Sequence, residues 1–144
     1  MTVQRSIIWL NVACVITIVT GVICVLASHP ATAGVWLWLF DVLKWPLDGD
    51  PAFFSADARA VNAVLGGTMV GWGVLMYLLA GTPLLLAHPQ ISRFMLIALM
   101  AWFVVDCMGS LAAGLPGNLV LNLGFLVLFV PPLRALYRHA QRAH

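Results

Sequence analysis

One carboxylate, Asp106, lies inside an apolar run of the chain, from Phe94 to Gly114, that is long enough to cross a membrane. None of the other apolar runs of that length contains an Asp, and Glu is absent from the sequence. An ionisable side chain in hydrocarbon costs about 2.5–3.5 kcal/mol even on lenient scales, so it faces protein or water and has a partner. Asp106 therefore marks a polar site inside the apolar part of the protein.

Two kinds of chemistry suit a lone carboxylate at such a position. As a structural group, Asp106 would join neighbouring helices by hydrogen bonds, which average about 0.6 kcal/mol each in membranes. As a functional group, it would carry a proton or bind a cation. The structural role is favoured, because proton paths usually chain several ionisable groups and these runs contain a single acid.

Other polar residues are predicted to lie at the depth of Asp106, which is roughly 12 Å from the end of its run. Ser110 lies one turn further along the same helical face. Asn118 and Asn122 begin the next apolar run from the same side, four residues apart. Arg59 begins another run there, and we expect Asp106 to be held either by Arg59, its candidate partner, or by the Asn and Ser side chains. The predicted intramembrane cluster consists of Asp106, Arg59, Asn62, Asn122 and Ser110.

Most residue sets that carry out catalysis or hold a cofactor are missing from the sequence. No His lies inside an apolar run, so a haem held between helices by two histidines is not expected. The chain has no HExxH motif and no phosphate-binding loop, and no nucleophile–base pair is evident. We therefore expect a protein that is not an enzyme, with no catalytic residues, no metal site and no cofactor.

The composition indicates that lipid is the solvent of this chain. Of its 144 residues, 62% are hydrophobic and only 8% are charged, and the mean hydropathy is +1.01. Soluble domains carry about 25% charged residues, enough to cover their surface. The net charge of +2 is too small, and too divided between loops, to indicate a nucleic-acid partner.

Four apolar runs approach the roughly 20 residues that a helix needs to cross hydrocarbon. They predict an all-α polytopic membrane protein, a single four-helix bundle over residues 1–144, with spans at about 7–27, 61–80, 94–114 and 117–137. Pro131-Pro132 interrupts the fourth run, because proline removes a helical donor and crowds the preceding turn. Either this helix kinks at the prolines, or it ends near Val130 and a surface helix begins there.

Positive charge is unevenly distributed between the two ends of the predicted bundle. The opposite end to the termini has Lys44 and Arg59 among four aspartates. The terminal end carries Arg5, Arg93, Arg134, Arg138 and Arg142. The positive-inside rule therefore places both termini in the cytoplasm. The size and topology resemble many small bacterial inner-membrane proteins, so we expect a multi-pass protein of the cell membrane, the inner membrane in a bacterium.

Two segments outside the spans are predicted to lie on the membrane surface. In the tail, Arg134, Arg138 and Arg142 share one helical face and should contact anionic headgroups, each contributing about 1 kcal/mol. In the outer loop, residues 35–45 predict an amphipathic interfacial helix whose polar face carries Asp41, Lys44 and Asp48. Its interfacial anchors are Trp36, Trp38 and Trp45. This helix serves either as an anchor or as a docking surface for a membrane partner.

Small residues recur at intervals of four in the first two runs. This spacing lets helix backbones approach closely. We predict that the two rows meet, the alternative being that one of them binds another subunit. The rows are Ala13, Thr17 and Gly21 in the first run, and Ala63, Gly67 and Gly71 in the second.

These features favour a small accessory subunit that binds and stabilises a larger membrane protein complex, such as a respiratory or photosynthetic one. Its expected partners are the lipid bilayer and other membrane subunits. The alternative is a small oligomeric transporter or channel that uses Asp106 for ion or proton coupling. A weaker third possibility is an enzyme acting on lipid or quinone, which would need a pocket around Arg59 and Asp106.

Overall fold

The computed structural model of the protein describes residues 1–44, 48–50 and 53–142, and these residues are all helical apart from their connections. A short 3₁₀ helix, Pro30–Thr32, precedes α2. The six α-helices of the described residues are α1 (Val3–Leu26), α2 (Gly34–Lys44), α3 (Ala56–Ala80), α4 (Leu84–Ala87), α5 (Pro89–Ala112) and α6 (Gly117–Arg142).

Four of these helices, α1, α3, α5 and α6, are long and apolar enough to cross a membrane. Three of them begin four or five residues before the apolar runs, because their first turns are polar. The hydroxyl of Thr2 accepts a hydrogen bond from the backbone N–H of Arg5 at the start of α1, and Ser55 accepts one from Ala58 at the start of α3. Capping residues therefore define the starts of α1 and α3.

The fourth long helix, α6, continues through Pro131 and Pro132 to Arg142, so the predicted alternative of a separate surface helix is wrong. The two prolines lack the N–H groups that would bond to the preceding turn. However, Phe129, Leu133 and Leu136 follow one face of α6 and are completely buried in the hydrophobic core. This packing on both sides of the prolines holds the helix together.

The long helices follow one another around the bundle in the order α3, α1, α6, α5. α1 packs extensively against α3 and also against α6, and α5 packs against α6. α3 and α5, the two outer members, make no extensive backbone contact with each other within the described residues. We call the end that carries α2 the α2 end, and the end that carries α4 and both termini the tail end.

Close contact between α1 and α3 depends on glycines, but not on the ones predicted for α3. A Cβ at Gly66 would lie 2.5 Å from the carbonyl oxygen of Gly21, and one at Gly73 would lie 2.7 Å from Ile18. Ala13, Thr17 and Gly21 are buried on α1, as their spacing suggested. In contrast, Gly67 and Gly71 are exposed, and a Cβ at either would meet nothing within 4 Å. The assignment of these two glycines to the interface is therefore wrong, whereas Ala63 in the same row is half-buried.

The α2 helix lies against the bundle with its aromatic side inward. Trp36 is buried and its ring contacts Phe40, so its prediction as an interfacial anchor is wrong. The apolar face of α2 seals the α2 end of the bundle, which explains this burial. Trp38 is exposed, as an anchor should be, and Trp45 lies outside the described residues. A Cβ at Gly117 would lie 2.6 Å from the carbonyl oxygen of Leu43, so this glycine lets α6 begin directly against α2.

Candidate functional site

A polar cluster centred on Asp106 joins α5 to α6. One carboxylate oxygen, Oδ2, accepts hydrogen bonds from the amide nitrogens of Asn122 at 2.6 Å and Asn118 at 2.8 Å. The Asn118 amide nitrogen also donates to the hydroxyl of Ser110 at 2.7 Å, and that of Asn122 contacts the sulfur of Cys107 at 3.4 Å. Two asparagines thus share the carboxylate that the sequence singles out.

Helical spacing and one tight turn produce this arrangement. Asp106 and Ser110 are one turn apart on α5, and Asn118 and Asn122 are one turn apart at the start of α6. Between the helices, Gly114 adopts φ of 73°, a left-handed conformation that glycine takes without strain. The first turns of α6 therefore lie beside the last turns of α5, with their polar faces in contact.

Two predicted members of the cluster lie elsewhere, so the prediction that Arg59 pairs with Asp106 is wrong. The guanidinium of Arg59 donates to the carbonyl oxygen of Phe54 at 2.9 Å. Asn62 is buried, and its backbone oxygen accepts a hydrogen bond from Cys24 of α1. The physical reason is that α3 packs on α1 rather than on α5, which turns these residues away from Asp106.

Asn118 is the member that the sequence reasoning placed nearby but left out of the cluster. The signal that could have included it is its spacing, four residues before Asn122 on the same helical face. Its amide is also the group that connects Asp106 to Ser110.

A cavity of about 410 Å³ opens beside this cluster. All four long helices and α2 contribute to its wall. Among the described residues that line the cavity, Asp106 is the only charged one. The volume lies within the range of about 300–1,000 Å³ that is usual for small-molecule sites. Its lining residues are Thr17, Thr20, Trp36, Phe40, Leu43, Leu65, Thr68, Met69, Trp72, Ala98, Trp102, Asp106, Ser110, Leu115, Asn118, Leu121, Asn122 and Phe125.

Aromatic side chains bound this cavity on the side of the tail end. The rings of Trp72 and Trp102 lie 6.0 Å apart and connect α3 to α5. Trp72 also contacts Phe129 at 5.7 Å, and Trp102 contacts Phe125 edge to face at 5.9 Å. Beyond this aromatic group the bundle is filled by its main hydrophobic core, so the cavity ends here.

The mouth of the cavity lies at the side of the bundle, between α3 and α5. Leu65 and Thr68 of α3 and Ala98 of α5 line the cavity and are also exposed. Apart from the contact between Trp72 and Trp102, α3 and α5 do not pack closely together within the described residues, so this side of the cavity is open. A molecule could thus reach Asp106 from the side of the bundle.

Hydrogen-bonding capacity remains unused around the cavity. Within the described residues, Asp106 Oδ1 and the amide oxygens of Asn118 and Asn122 accept no hydrogen bond. The indole N–H of Trp36, a wall residue, is buried and has no partner among the described residues. The polar part of the site therefore offers mainly acceptors to a bound molecule.

Carboxylates outside the long helices are engaged with the loop that follows α2. Asp41 is buried and accepts a hydrogen bond from the backbone N–H of Gly49 at 3.2 Å. The backbone N–H of Asp50 donates to the Asp48 carboxylate at 3.0 Å and lowers the pKa of that carboxyl. The predicted polar face of α2 is thus divided, with Asp41 buried and Lys44 and Asp48 exposed.

The arginines of the tail lie at the other end of the molecule. Arg134, Arg138 and Arg142 are exposed on the last turns of α6. Beside them, His139 contacts the backbone oxygen of Met1 at 3.2 Å. They have no part in the site around Asp106.

The side chains around the cavity are suited to binding a molecule. Its wall combines one carboxylate, amides and hydroxyls with a large apolar surface. Within the described residues, no group of three His, Cys, Asp or Glu side chains lies close enough to hold a metal ion. No family model, no curated protein and no solved structure matches this chain.

Proposed function

We propose that this chain is a multi-pass membrane protein that binds one amphiphilic molecule, without altering it, in the cavity beside Asp106. The four long helices would cross the bilayer, with both termini in the cytoplasm and the α2 end at the outer surface. The observation that carries the proposal is the lateral cavity of about 410 Å³, apolar except for one cluster of polar groups.

The surface of the bundle supports placement in a bilayer. Large apolar side chains such as Val64 of α3, and Val105 and Met108 of α5, point outward and are mostly exposed. A continuous apolar surface of this kind is stable in lipid and is rare on soluble monomers. The lateral mouth of the cavity would then face the acyl chains, which suits a ligand that arrives from the bilayer.

The position of the aromatic side chains favours binding over conduction. Trp72, Trp102, Phe125 and Phe129 separate the cavity from the tail end, and the hydrophobic core lies behind them. A channel or transporter using Asp106 would need a second route past these rings. A binding site with one mouth needs none.

A saturable photolabelling experiment tests the proposal. The protein in lipid nanodiscs is incubated with a long-chain alcohol that carries a diazirine, irradiated, and digested for mass spectrometry. We expect labelling of peptides from the cavity walls of α3 and α5, and its loss when unlabelled alcohol is added in excess.

A matched pair of variants localises that labelling. Ala98→Phe places a ring at the mouth of the cavity, whereas Ala101→Phe adds the same ring to an exposed position of α5 that does not line it. Labelling should be largely lost in Ala98→Phe and retained in Ala101→Phe. Labelling that does not saturate, or that both variants leave unchanged, would contradict the proposal.

A second candidate function, the accessory subunit of a larger membrane complex, is favoured by the exposed aromatic residues of the α2 end. Trp38 is 62% exposed and Phe53 is 85% exposed, both outside the long helices. Exposed aromatic groups are common at contacts with other proteins. Co-purification of a stoichiometric partner from native membranes would support this candidate, and a chain extracted as a monomer without partners would contradict it.

A further inference from the structure

We propose that the molecule bound in this cavity carries a protonated amine, and that the ammonium group pairs with Asp106. This inference rests on the proposed function and names the chemical class of its ligand. A single carboxylate, unused acceptor oxygens and aromatic rings lie together in this apolar cavity, and each of them favours such a ligand.

The charge of the cavity wall favours a cationic ligand. Asp106 is the only charged side chain among the cavity's lining residues, which include no Lys, Arg or His. Its described partners are the neutral amides of Asn118 and Asn122. A carboxylate in an apolar environment is stable only when it is paired or well hydrogen-bonded, so an ionised Asp106 would favour a cationic ligand.

The unused hydrogen-bonding groups of the polar cluster are acceptors. Both asparagine amide nitrogens are directed at Asp106 Oδ2, so the Oδ1 atom and the two amide oxygens remain as acceptors. An ammonium group has three donors and no acceptor, which matches such a set. A phosphate, sulfate or carboxylate headgroup would bring further acceptors and a like charge, and an alcohol would supply one donor.

Aromatic rings line the cavity close to the polar cluster. Trp102 lies one helical turn before Asp106 on α5, and Phe125 lies three residues after Asn122 on α6. Both rings line the cavity, and together with Trp36, Phe40 and Trp72 they form much of its apolar surface. The faces of aromatic rings attract cations, and the attraction is stronger where water is excluded.

The remaining wall defines the rest of the ligand. Leu65, Met69, Ala98 and Leu121 line the cavity, and its mouth lies between α3 and α5. A hydrocarbon chain would fit against this surface and leave through the mouth into the acyl region of the bilayer. The ligand class is therefore a lipophilic amine.

Competition in the photolabelling assay tests the inference with two probes that differ only in the headgroup, dodecylamine and dodecanol. In the full-length protein, we expect dodecylamine to compete at a concentration at least about tenfold lower, the scale of one hydrogen bond to a charged group. The partition of each probe into the lipid is measured with Ala98→Phe nanodiscs and applied as a correction.

Two variants assign the preference to Asp106. Asp106→Asn keeps the size of the side chain and should reduce the ratio between the probes to about one, because it removes a charge pair and leaves the apolar contacts. Asp57→Asn removes the same charge from an exposed position at the start of α3 and should leave the ratio unchanged. Circular dichroism and gel filtration check the fold of each variant, and Asp106→Glu, which should retain the preference, replaces Asp106→Asn if that variant does not fold.

The outcomes separate the two proposals. Equal competition by both probes in the full-length protein would overturn the amine assignment and leave the binding function intact. A preference that survives in Asp106→Asn, or is lost in Asp106→Glu, would overturn the pairing with Asp106. Failure of both probes to compete would contradict the proposed function itself.

Discussion

At the residue scale, the protein solves the problem of a buried carboxylate with amides instead of a basic side chain. Asn118 and Asn122 donate to one oxygen of Asp106 and leave the other without a hydrogen bond within the described residues. An arginine at this position would satisfy the carboxylate completely and close the site. With these neutral donors on Oδ2, Asp106 joins α5 to α6 while its Oδ1 atom can still accept a hydrogen bond.

The contribution of the amides can be measured by replacing Asn122, which is almost completely buried. Asn122→Leu removes the shortest hydrogen bond to Asp106 and should lower the free energy of unfolding by about 1.5–3 kcal/mol, the range for bonds to charged groups. The double variant Asp106→Leu/Asn122→Leu should lose less, because it leaves no carboxylate with an unmet partner. Unfolding titrations with sodium dodecyl sulfate in mixed micelles give both values, and a double variant less stable than Asn122→Leu would contradict the argument.

At the element scale, the faces on which helices meet decide where the site forms. α3 packs on α1 through Gly66 and Gly73, and this leaves its other side free to line the cavity with Leu65, Thr68 and Met69. If α3 had packed through Gly67 and Gly71, it would have been rotated by the angle of about one residue, 100°. The position of a few glycines thus decides which face of α3 packs on α1 and which face lines the cavity.

Neighbouring glycines of α3 provide a matched test of this packing. Gly66→Ala would place a Cβ 2.5 Å from the carbonyl oxygen of Gly21 and should destabilise the protein by about 1–3 kcal/mol, as overpacking does. Gly67→Ala meets nothing within 4 Å and should be neutral or stabilising by up to about 1 kcal/mol, because alanine favours the helix. The same unfolding titrations compare the two, and equal effects would contradict the assigned interface.

The sequence could predict the four long helices and most of the polar cluster, but not that α3 turns its polar residues away from this cluster. Hydropathy identified all four long helices, and the spacing of Asp106, Ser110 and Asn122 put them on facing sides of helices joined by a tight turn. The same reasoning could not choose between Gly66 and Gly67 as the packed face, because both belong to small-residue rows. Arg59 was therefore assigned to Asp106 from depth alone, which says nothing about the direction in which a side chain points.

Pro131-Pro132 illustrates a second limit of sequence reasoning. Local rules favour a break or kink there, since two backbone donors are missing from one turn. The structure continues as a helix because buried side chains before and after the prolines belong to the same core. Tertiary packing of this kind is not visible in a local pattern.

At the scale of the whole molecule, the half of the bundle at the tail end is tightly packed, and the half at the α2 end contains the cavity. The main hydrophobic core fills the tail end, where α4 and α6 add to the packing of α1, α3 and α5. The α2 end holds the cavity, which α2 covers with Trp36, Phe40 and Leu43. The polar cluster around Asp106 and the main hydrophobic core thus lie at different positions along the axis of the bundle.

The proposed orientation places the half that contains the cavity in the outer leaflet, and it can be tested with variants that each add one exposed cysteine. Asp50→Cys lies at the α2 end, and Thr82→Cys lies in the connection between α3 and α4 at the tail end. Because positively charged connections stay in the cytoplasm, a membrane-impermeant maleimide added to intact cells should label Asp50→Cys, and label Thr82→Cys only after permeabilisation. The parent chain, whose cysteines all lie within α1 and α5, provides the background. Labelling in the reverse pattern would place the cavity in the cytoplasmic leaflet, and the ligand would then have to be an amine that reaches the protein from the cell interior.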